Sequence, residues 1–175
     1  VLAQVTESGK VVDTSLAGKW ISPMHPEIVK DGPGKCDVCG MDLVPAESLG
    51  FATVDHHRQH RHGFPEVIFS EGKTPEQVAV IAKAITRRGS VLLATRASAK
   101  HFAAVRKVVS GVRYNAVART ITGNDRKIER TGFGTILVVT AGTSDIPVAA
   151  EAVETATVMG NAVDTLFDVG VAGIH

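Results

Sequence analysis

The segment Gly134-Thr135-Ile136-Leu137-Val138-Val139-Thr140 decides the fold of this 175-residue chain. A short run of β-branched and apolar residues is typical of a strand buried on both faces of a parallel sheet. The next segment, Ala141-Gly142-Thr143-Ser144-Asp145, predicts a turn in which Ser144 or Asp145 caps a helix. That helix is expected to end at Gly160, before a second apolar strand over residues 162–169. Strand, helix and strand in this order predict a parallel pair with a right-handed crossover, and therefore an α/β fold.

The residues upstream continue the alternation of strands and helices. Further strands are expected over residues 66–69, 91–95 and 113–122. The segment Thr74-Pro75-Glu76-Gln77 predicts a helix start, with a capping threonine, a proline in the first turn and a glutamine that completes a capping box. Ser98 is expected to cap a second helix. The expected architecture is a parallel sheet with flanking helices, preceded by a small metal-binding knuckle.

The composition excludes several classes of protein. With 44% hydrophobic and 21% charged residues, the chain resembles a globular protein rather than a disordered tail. Its formal net charge of +1 gives no electrostatic basis for binding nucleic acid or an anionic membrane surface. Its apolar runs are too short to cross a bilayer, and no signal peptide is apparent. Because the chain begins at Val1 rather than at methionine, its natural N-terminus is expected to lie upstream.

Both cysteines lie in one cluster, formed by Pro23-Met24-His25-Pro26 and Cys36-Asp37-Val38-Cys39-Gly40-Met41. A single C-x-x-C pair indicates a metal or redox site rather than a disulfide framework. Soft sulfur and nitrogen donors select zinc or copper(I) over magnesium and calcium. The predicted metal ligands are His25, Cys36, Cys39, Met24 and Met41. The alternative is a loosely folded linker that binds no metal.

The turn after the 134–140 strand is a second candidate site. The backbone N–H groups of Gly142, Thr143, Ser144 and Asp145, with the two hydroxyls, can hold a phosphate at the positive end of a helix. The alternative is an ordinary capped turn. His175, which follows the 162–169 strand, is expected to bring an imidazole near this turn.

Other charged residues have two interpretations. Arg96 and Arg119 are candidates for contacts to substrate phosphates, and surface ion pairs explain them equally well. A histidine-rich segment is either a further metal site or a solvated basic connection between elements. Its histidines are His56, His57, His60 and His62.

Residues 20–45, WISPMHPEIVKDGPGKCDVCGMDLVP, resemble the heavy-metal-binding domain of copper-transporting ATPases and periplasmic efflux adaptors. The flanking segments Leu16-Ala17-Gly18-Lys19 and Ala46-Glu47-Ser48-Leu49-Gly50 resemble the adaptors in particular. Many relatives have a cysteine before the Pro-Met-His-Pro motif, where this chain has Ser22, so one thiolate of that pattern is absent. The adaptor-like segment alone implies a periplasmic location.

Residues 49–175 resemble the LarB family of nickel-pincer cofactor biosynthesis proteins. The resemblance is carried by GFPEVIF (63–69), EGKTPEQ (71–77), ATRAS (94–98), YNAVAR (114–119) and VTAGTSDIPVA (139–149). It implies a C-terminal part similar to the phosphoribosyl-aminoimidazole carboxylase PurE, with Ser144 and Asp145 at the ribose phosphate. It also implies that CO2 or bicarbonate carboxylates the pyridinium ring of nicotinic acid adenine dinucleotide, and that the phosphoanhydride is hydrolysed with release of AMP.

The same resemblance implies covalent catalysis by a cysteine thiolate that adds to the pyridinium ring. Neither Cys36 nor Cys39 corresponds to it, because both belong to the metal motif. Relatives are expected to continue past His175 through the rest of the sheet, so little or no turnover is expected, and His175 is the single candidate catalytic residue. Full-length family members are expected to be cytoplasmic homo-oligomers that span no membrane and bind no nucleic acid.

Four segments are therefore expected along the chain. Residues 1–18 form a linker or the remnant of an upstream domain, 19–50 the metal knuckle, 51–130 a LarB-type N-terminal α/β region, and 131–175 the first part of a truncated PurE-like domain.

The junction Leu49-Gly50-Phe51 fits both resemblances, which indicates either a chimeric, misassembled reading frame or a natural fusion. The leading functional hypothesis is a LarB-like carboxylase and hydrolase that is inactive as this fragment. The alternative is a zinc- or copper-binding module of the efflux-adaptor type.

Overall fold

The computed structural model describes residues 4–5, 11–12, 18–22, 24–25, 27–45, 47–48, 53–54, 64, 66–124 and 128–170. The chain forms two compact units, Val1–Glu66 and Val67–His175. In the described ranges, no helix combines the length and the apolar character needed to cross a membrane.

The N-terminal unit is built from very short antiparallel strands. They are β1 (Gln4–Val5), β2 (Val11–Val12), β3 (Trp20–Ile21), β4 (Val29–Lys30), β5 (Val44–Pro45), β6 (Glu47–Ser48) and β7 (Thr53–Val54). The central sheet has the order β4-β3-β5, while β1 pairs with β2 and β6 with β7. Among the described residues of this unit, the buried hydrophobic side chains are Ile21, Cys36, Leu43 and Val54. A core this small gains much of its stability from a bound ion where one is available.

The C-terminal unit begins with a four-stranded sheet and two helices. Its elements are β8 (Val67–Phe69), α1 (Pro75–Arg87), β9 (Leu92–Thr95), α2 (Ala99–Val105), β10 (Arg113–Asn115) and β11 (Thr120–Gly123). The strand order is β10-β11-β9-β8, in which β8 and β9 are parallel and the other two pairs are antiparallel. Helix α1 packs against α2 and β9, and it buries Val78, Ala82 and Ile85.

Both predicted helix starts in this part are confirmed. Thr74 Oγ1 accepts a hydrogen bond from the Gln77 N–H at 3.3 Å, and Gln77 Oε1 accepts one from the Thr74 N–H at 2.9 Å. Ser98 Oγ accepts from the His101 N–H at 3.3 Å, and His101 Nδ1 accepts from the Ser98 N–H at 3.0 Å. These reciprocal pairs satisfy N–H groups for which a first helical turn has no internal partner.

One strand prediction was wrong. Residues 113–122 were expected to form a single strand, but they fold into the antiparallel hairpin β10–β11. The cause is Asn115, whose side-chain oxygen accepts hydrogen bonds from the Val117 and Ala118 N–H groups, each at 3.1 Å. Arg119 then adopts a φ of 53°, which reverses the chain. An asparagine that bonds to its own downstream backbone is a turn-forming device, and it makes the first sheet mixed rather than wholly parallel.

The predicted parallel pair is confirmed in the second half of this unit. Strand β12 (Thr135–Val139) lies parallel to β13 (Ala162–Leu166), with Thr135 opposite Ala162. A 3-10 turn (Thr143–Asp145) and helix α3 (Ile146–Val158) form the crossover, and α3 packs against both strands. The predicted α/β class is therefore confirmed.

Strand β12 is exposed, although its sequence predicts burial on both faces. Ile136, Leu137 and Val139 are 43%, 57% and 52% exposed, and Leu166 of β13 is 48% exposed. Among the described residues, this sheet contains these two strands alone. An apolar strand is buried when other elements pack against both of its faces. Among the described residues, helix α3 is the helix that packs against β12 and β13.

Candidate metal centre

The C-x-x-C segment forms a tight turn between β4 and β5. The Cys36 N–H donates to the Met41 carbonyl at 2.7 Å, and the Gly40 N–H donates to the Cys36 carbonyl at 2.9 Å. Gly40 has a φ of 72°, a backbone conformation that residues with a side chain rarely adopt. A β-bridge between Lys35 and Asp42 closes the base of the turn. This turn fixes the spacing of the two cysteines.

His25 joins the two cysteines from the loop between β3 and β4. Its Nδ1 lies 3.6 Å from the Cys36 Sγ. The donor atoms of His25, Cys36 and Cys39 all lie within 4.8 Å of one another. Both thiols are free, and Cys36 is buried while Cys39 is exposed. Two sulfurs and one imidazole at this spacing fit a tetrahedral ion with metal–sulfur bonds of about 2.3 Å and metal–nitrogen bonds of about 2.0 Å.

Ser22 also belongs to this site, and sequence reasoning interpreted it as the loss of a thiolate rather than as a functional residue. It follows β3 and is 0% exposed. Its Oγ accepts a hydrogen bond from the His25 backbone N–H at 3.1 Å and lies 3.9 Å from the Cys39 Sγ. The sequence signal for this position is the cysteine that the family resemblance places there in many relatives, and the burial of the serine hydroxyl becomes evident only in the folded loop.

The same hydroxyl changes the acidity of Cys36. Hydrogen bonding to Ser22 is the largest of the causes that lower the pKa of Cys36 from its ordinary value to about 6. Burial opposes this shift, and hydrogen bonds from the backbone at Cys39 and Val38 support it. Cys36 is therefore mainly a thiolate at neutral pH, which is the form that binds metal ions.

An ion pair ties the metal-binding turn to the sheet. Lys30 Nζ, on β4, lies 2.7 Å from Asp37 Oδ1 between the two cysteines, and it donates to the Lys35 carbonyl at 3.1 Å. Lys35 in turn pairs with Asp42 at 2.9 Å. Exposed pairs of this kind contribute roughly 0.2–1 kcal/mol each. Their main effect is therefore to orient the turn rather than to stabilise the unit.

The remaining predicted metal ligands have different environments. Met24 and Met41 are 52% and 40% exposed, so both thioethers lie at the surface of the unit and stay predicted ligands. His56, His57, His60 and His62 lie outside the described residues, as does His175.

The predicted phosphate turn after β12 is closed by its own aspartate. The Gly142 N–H donates to Asp145 Oδ2 at 3.3 Å, and the Asp145 N–H donates to the Gly142 carbonyl at 3.1 Å. Asp145 directly precedes α3, but its side chain makes no capping hydrogen bond to the helix, in contrast to the prediction. Thr143 and Ser144 are exposed. A phosphate at this turn would compete with the Asp145 carboxylate for the Gly142 N–H and would meet its negative charge.

Arg96 is engaged in an ion pair. Its Nε lies 2.9 Å from Glu151 Oε2 on α3. Its φ is 52°, and its carbonyl accepts a hydrogen bond from Arg119 Nη2 at 3.3 Å. The structure thus shows the ion-pair alternative for Arg96. A role in phosphate binding requires that Glu151 release the guanidinium.

Comparison with known families divides the chain near residue 46. Residues 19–46 match the model of a heavy metal binding domain, and residues 46–126 match that of a LarB/PurE-like N-terminal domain. The chain therefore carries both domains, as the two sequence resemblances predict.

Two curated proteins are similar to parts of this chain. An uncharacterized protein of Methanocaldococcus jannaschii is 35% identical over 127 residues, which are 70% of this chain and 50% of that protein. A silver exporting P-type ATPase of Salmonella typhimurium is 64% identical over 28 residues, which are 16% of this chain and 3% of that protein. The chain thus spans half of the first relative and a small part of the second, and the ATPase similarity corresponds to the metal-binding segment.

Proposed function

We propose that this chain, which joins a heavy metal binding domain to a LarB/PurE-like N-terminal domain, binds one zinc or copper(I) ion through His25, Cys36 and Cys39. The observation that supports this proposal is the convergence of the three donor atoms within 4.8 Å. Two thiolates and an imidazole suit borderline and soft cations and disfavour magnesium and calcium. The exposed thioethers of Met24 and Met41 are available as further soft donors.

Binding of the ion also contributes to folding of the N-terminal unit. Its strands have two residues each, so an ion that joins the β3–β4 loop to the C-x-x-C turn replaces core contacts that a larger unit has. Metal binding displaces protons from the ligands, and the lowered pKa of Cys36 reduces the number of protons that must leave at neutral pH.

The test is a competition titration of the metal-free chain with zinc and with copper(I) against a chromophoric chelator. We expect one equivalent per chain for the wild type and none for the Cys36→Ser/Cys39→Ser variant. Val38→Ala is the matched control, because Val38 lies between the cysteines and is 64% exposed, and neither valine nor alanine offers a ligand atom. An unchanged stoichiometry in the double variant would contradict the assignment.

The LarB/PurE-like domain and the 35% identity over 127 residues favour a second function, in a carboxylase-related family. We propose nicotinic acid adenine dinucleotide and CO2 or bicarbonate as the substrates, in nickel-pincer cofactor biosynthesis. The residues proposed for the nucleotide phosphates are Arg96 and the 142–145 turn, and His175 is proposed to lie near the pyridinium ring. A cytoplasmic location and a homo-oligomeric state of the full-length protein belong to the same proposal.

This second function predicts substrate binding without turnover. The carboxylation chemistry implied by the family uses a cysteine thiolate, and both cysteines of the chain lie in the metal-binding segment. Incubation with nicotinic acid adenine dinucleotide and bicarbonate should therefore form no carboxylated pyridinium product, whereas calorimetry should detect binding that Arg96→Ala weakens. Robust formation of AMP together with the dicarboxylated mononucleotide, surviving replacement of Cys36 and Cys39, would show that the catalytic group lies elsewhere.

A further inference from the structure

A buried side-chain oxygen lies beside the three metal ligands. Ser22 is 0% exposed, and its Oγ lies 3.9 Å from the Cys39 Sγ. The Cys36 Sγ lies 3.6 Å from His25 Nδ1. In a tetrahedral site with bonds of about 2.0–2.3 Å, neighbouring donor atoms are roughly 3.3–3.8 Å apart. The separation of His25 and Cys36 matches this edge length and that of Ser22 and Cys39 is slightly longer, so Ser22 Oγ lies about one edge of such a tetrahedron from the Cys39 donor atom.

The loop holds this oxygen in place through the backbone. The Ser22 N–H donates to the Ile28 carbonyl at 3.1 Å, and the Ile28 N–H donates to the His25 carbonyl at 2.8 Å. The His25 N–H donates to Ser22 Oγ at 3.1 Å and occupies one of its two lone pairs. The second lone pair remains available for an ion. The hydroxyl is thus fixed by the same loop that supplies the imidazole.

We propose that Ser22 Oγ is the fourth ligand, so that the site offers two sulfurs, one nitrogen and one oxygen. This inference rests on the metal binding proposed for His25, Cys36 and Cys39. Zinc accepts sulfur, nitrogen and oxygen donors in a four-coordinate site, whereas copper(I) is selected by thiolates and thioethers. The Ser22 oxygen therefore directs the site towards a four-coordinate divalent ion of the zinc class rather than a monovalent soft ion.

Cobalt(II), a spectroscopic substitute for zinc, tests the position of the side chain directly. If residue 22 occupies a vertex, Ser22→Cys adds a third thiolate, and the sulfur-to-cobalt charge-transfer absorption should rise about 1.5-fold, the ratio of three to two thiolate ligands. If Ser22 only supports the loop through hydrogen bonds, the absorption of Ser22→Cys should equal that of the wild type. That result would overturn the inference.

Ser22→Ala tests the selectivity. Zinc affinity should fall by more than about tenfold, because the loss of a second-shell partner alone typically costs about 10–100-fold, while copper(I) affinity should stay nearly unchanged. An equal loss for both ions would indicate a purely structural role and would overturn the proposed selectivity. Ser70→Ala is the matched control, because Ser70 is equally buried but lies in the C-terminal unit, and its binding of both ions should equal that of the wild type.

The outcomes separate this inference from the function on which it rests. A wild-type chain that binds neither zinc nor cobalt(II) would contradict the metal site as a whole. A wild-type chain that binds one ion, with no change of the cobalt(II) spectrum in Ser22→Cys, would contradict only the role of Ser22. The cysteine variant keeps the test decisive even where Ser22→Ala destabilises the loop.

Discussion

The hydroxyl of Ser22 controls the ionisation of Cys36, and this is testable in the metal-free chain. In a Cys39→Ser background, Cys36 is the single thiol. Its pKa is lowered to about 6, mainly by the hydrogen bond with Ser22, and the Cys39 side chain makes the smallest contribution. At pH 7 such a thiol is about 90% thiolate, compared with about 3% for an ordinary cysteine with a pKa of about 8.5. Ser22→Ala removes the largest cause and should raise the pKa.

The assay is a pH titration of the ultraviolet absorbance of the thiolate, with a chelator present. The midpoint should lie well below the ordinary thiol value in Cys39→Ser, because the hydrogen bond with Ser22, the largest cause of the shift, is retained there. It should move upward when Ser22→Ala is added, stay unchanged with Ser70→Ala, and return to about 8.5 in guanidinium. Because folding depresses this pKa, the stabilisation it contributes is present above the unfolded pKa and is lost as the pH falls through the folded pKa. A folded midpoint at the ordinary value, or one insensitive to Ser22→Ala, would refute the reasoning.

Two further predictions concern the stability of the C-terminal unit, measured by urea unfolding with circular dichroism. Leu93 is 1% exposed and Leu137 is 57% exposed. Leu93→Ala should therefore lower the free energy of unfolding by about 2–5 kcal/mol, and Leu137→Ala should lower it by much less. An equal decrease in the two variants would contradict the described core. Thr74→Ala removes the cap of α1 and should lower the free energy by about 1 kcal/mol. The exposed Thr143 provides the control variant Thr143→Ala, and an equal loss there would argue against capping as the cause.

Local signals determined the elements that sequence reasoning predicted well. The capping residues Thr74 and Gln77 lie three positions apart, so the start of α1 follows from short-range hydrogen bonds alone. The β12–α3–β13 unit was predictable because handedness and twist leave few ways to connect two apolar strands through one helix. The grouping of His25 with the cysteines followed from ligand chemistry and spacing.

The features that sequence reasoning missed depend on contacts that no short window contains. The hairpin at Asn115 arises because one side chain bonds to two downstream N–H groups, and an asparagine in a strand-like run also fits an exposed strand position. The burial of Ser22 depends on the return of the chain from His25 to Ile28 and on the distant C-x-x-C turn. The exposure of β12 depends on which layers pack against it, and the composition of one strand does not specify this.

The partly covered β12–β13 sheet has a practical consequence for work with this chain. Both outer strand edges present backbone N–H and C=O groups that no third strand pairs within the described residues, beside side chains such as Leu137 and Leu166. Association through such a surface strengthens with concentration and with salts that are excluded from apolar surfaces, such as sulfate and phosphate. Low protein concentration and a buffer free of these salts should therefore keep the chain monomeric. Light scattering should increase with the concentration of ammonium sulfate if the exposed sheets associate.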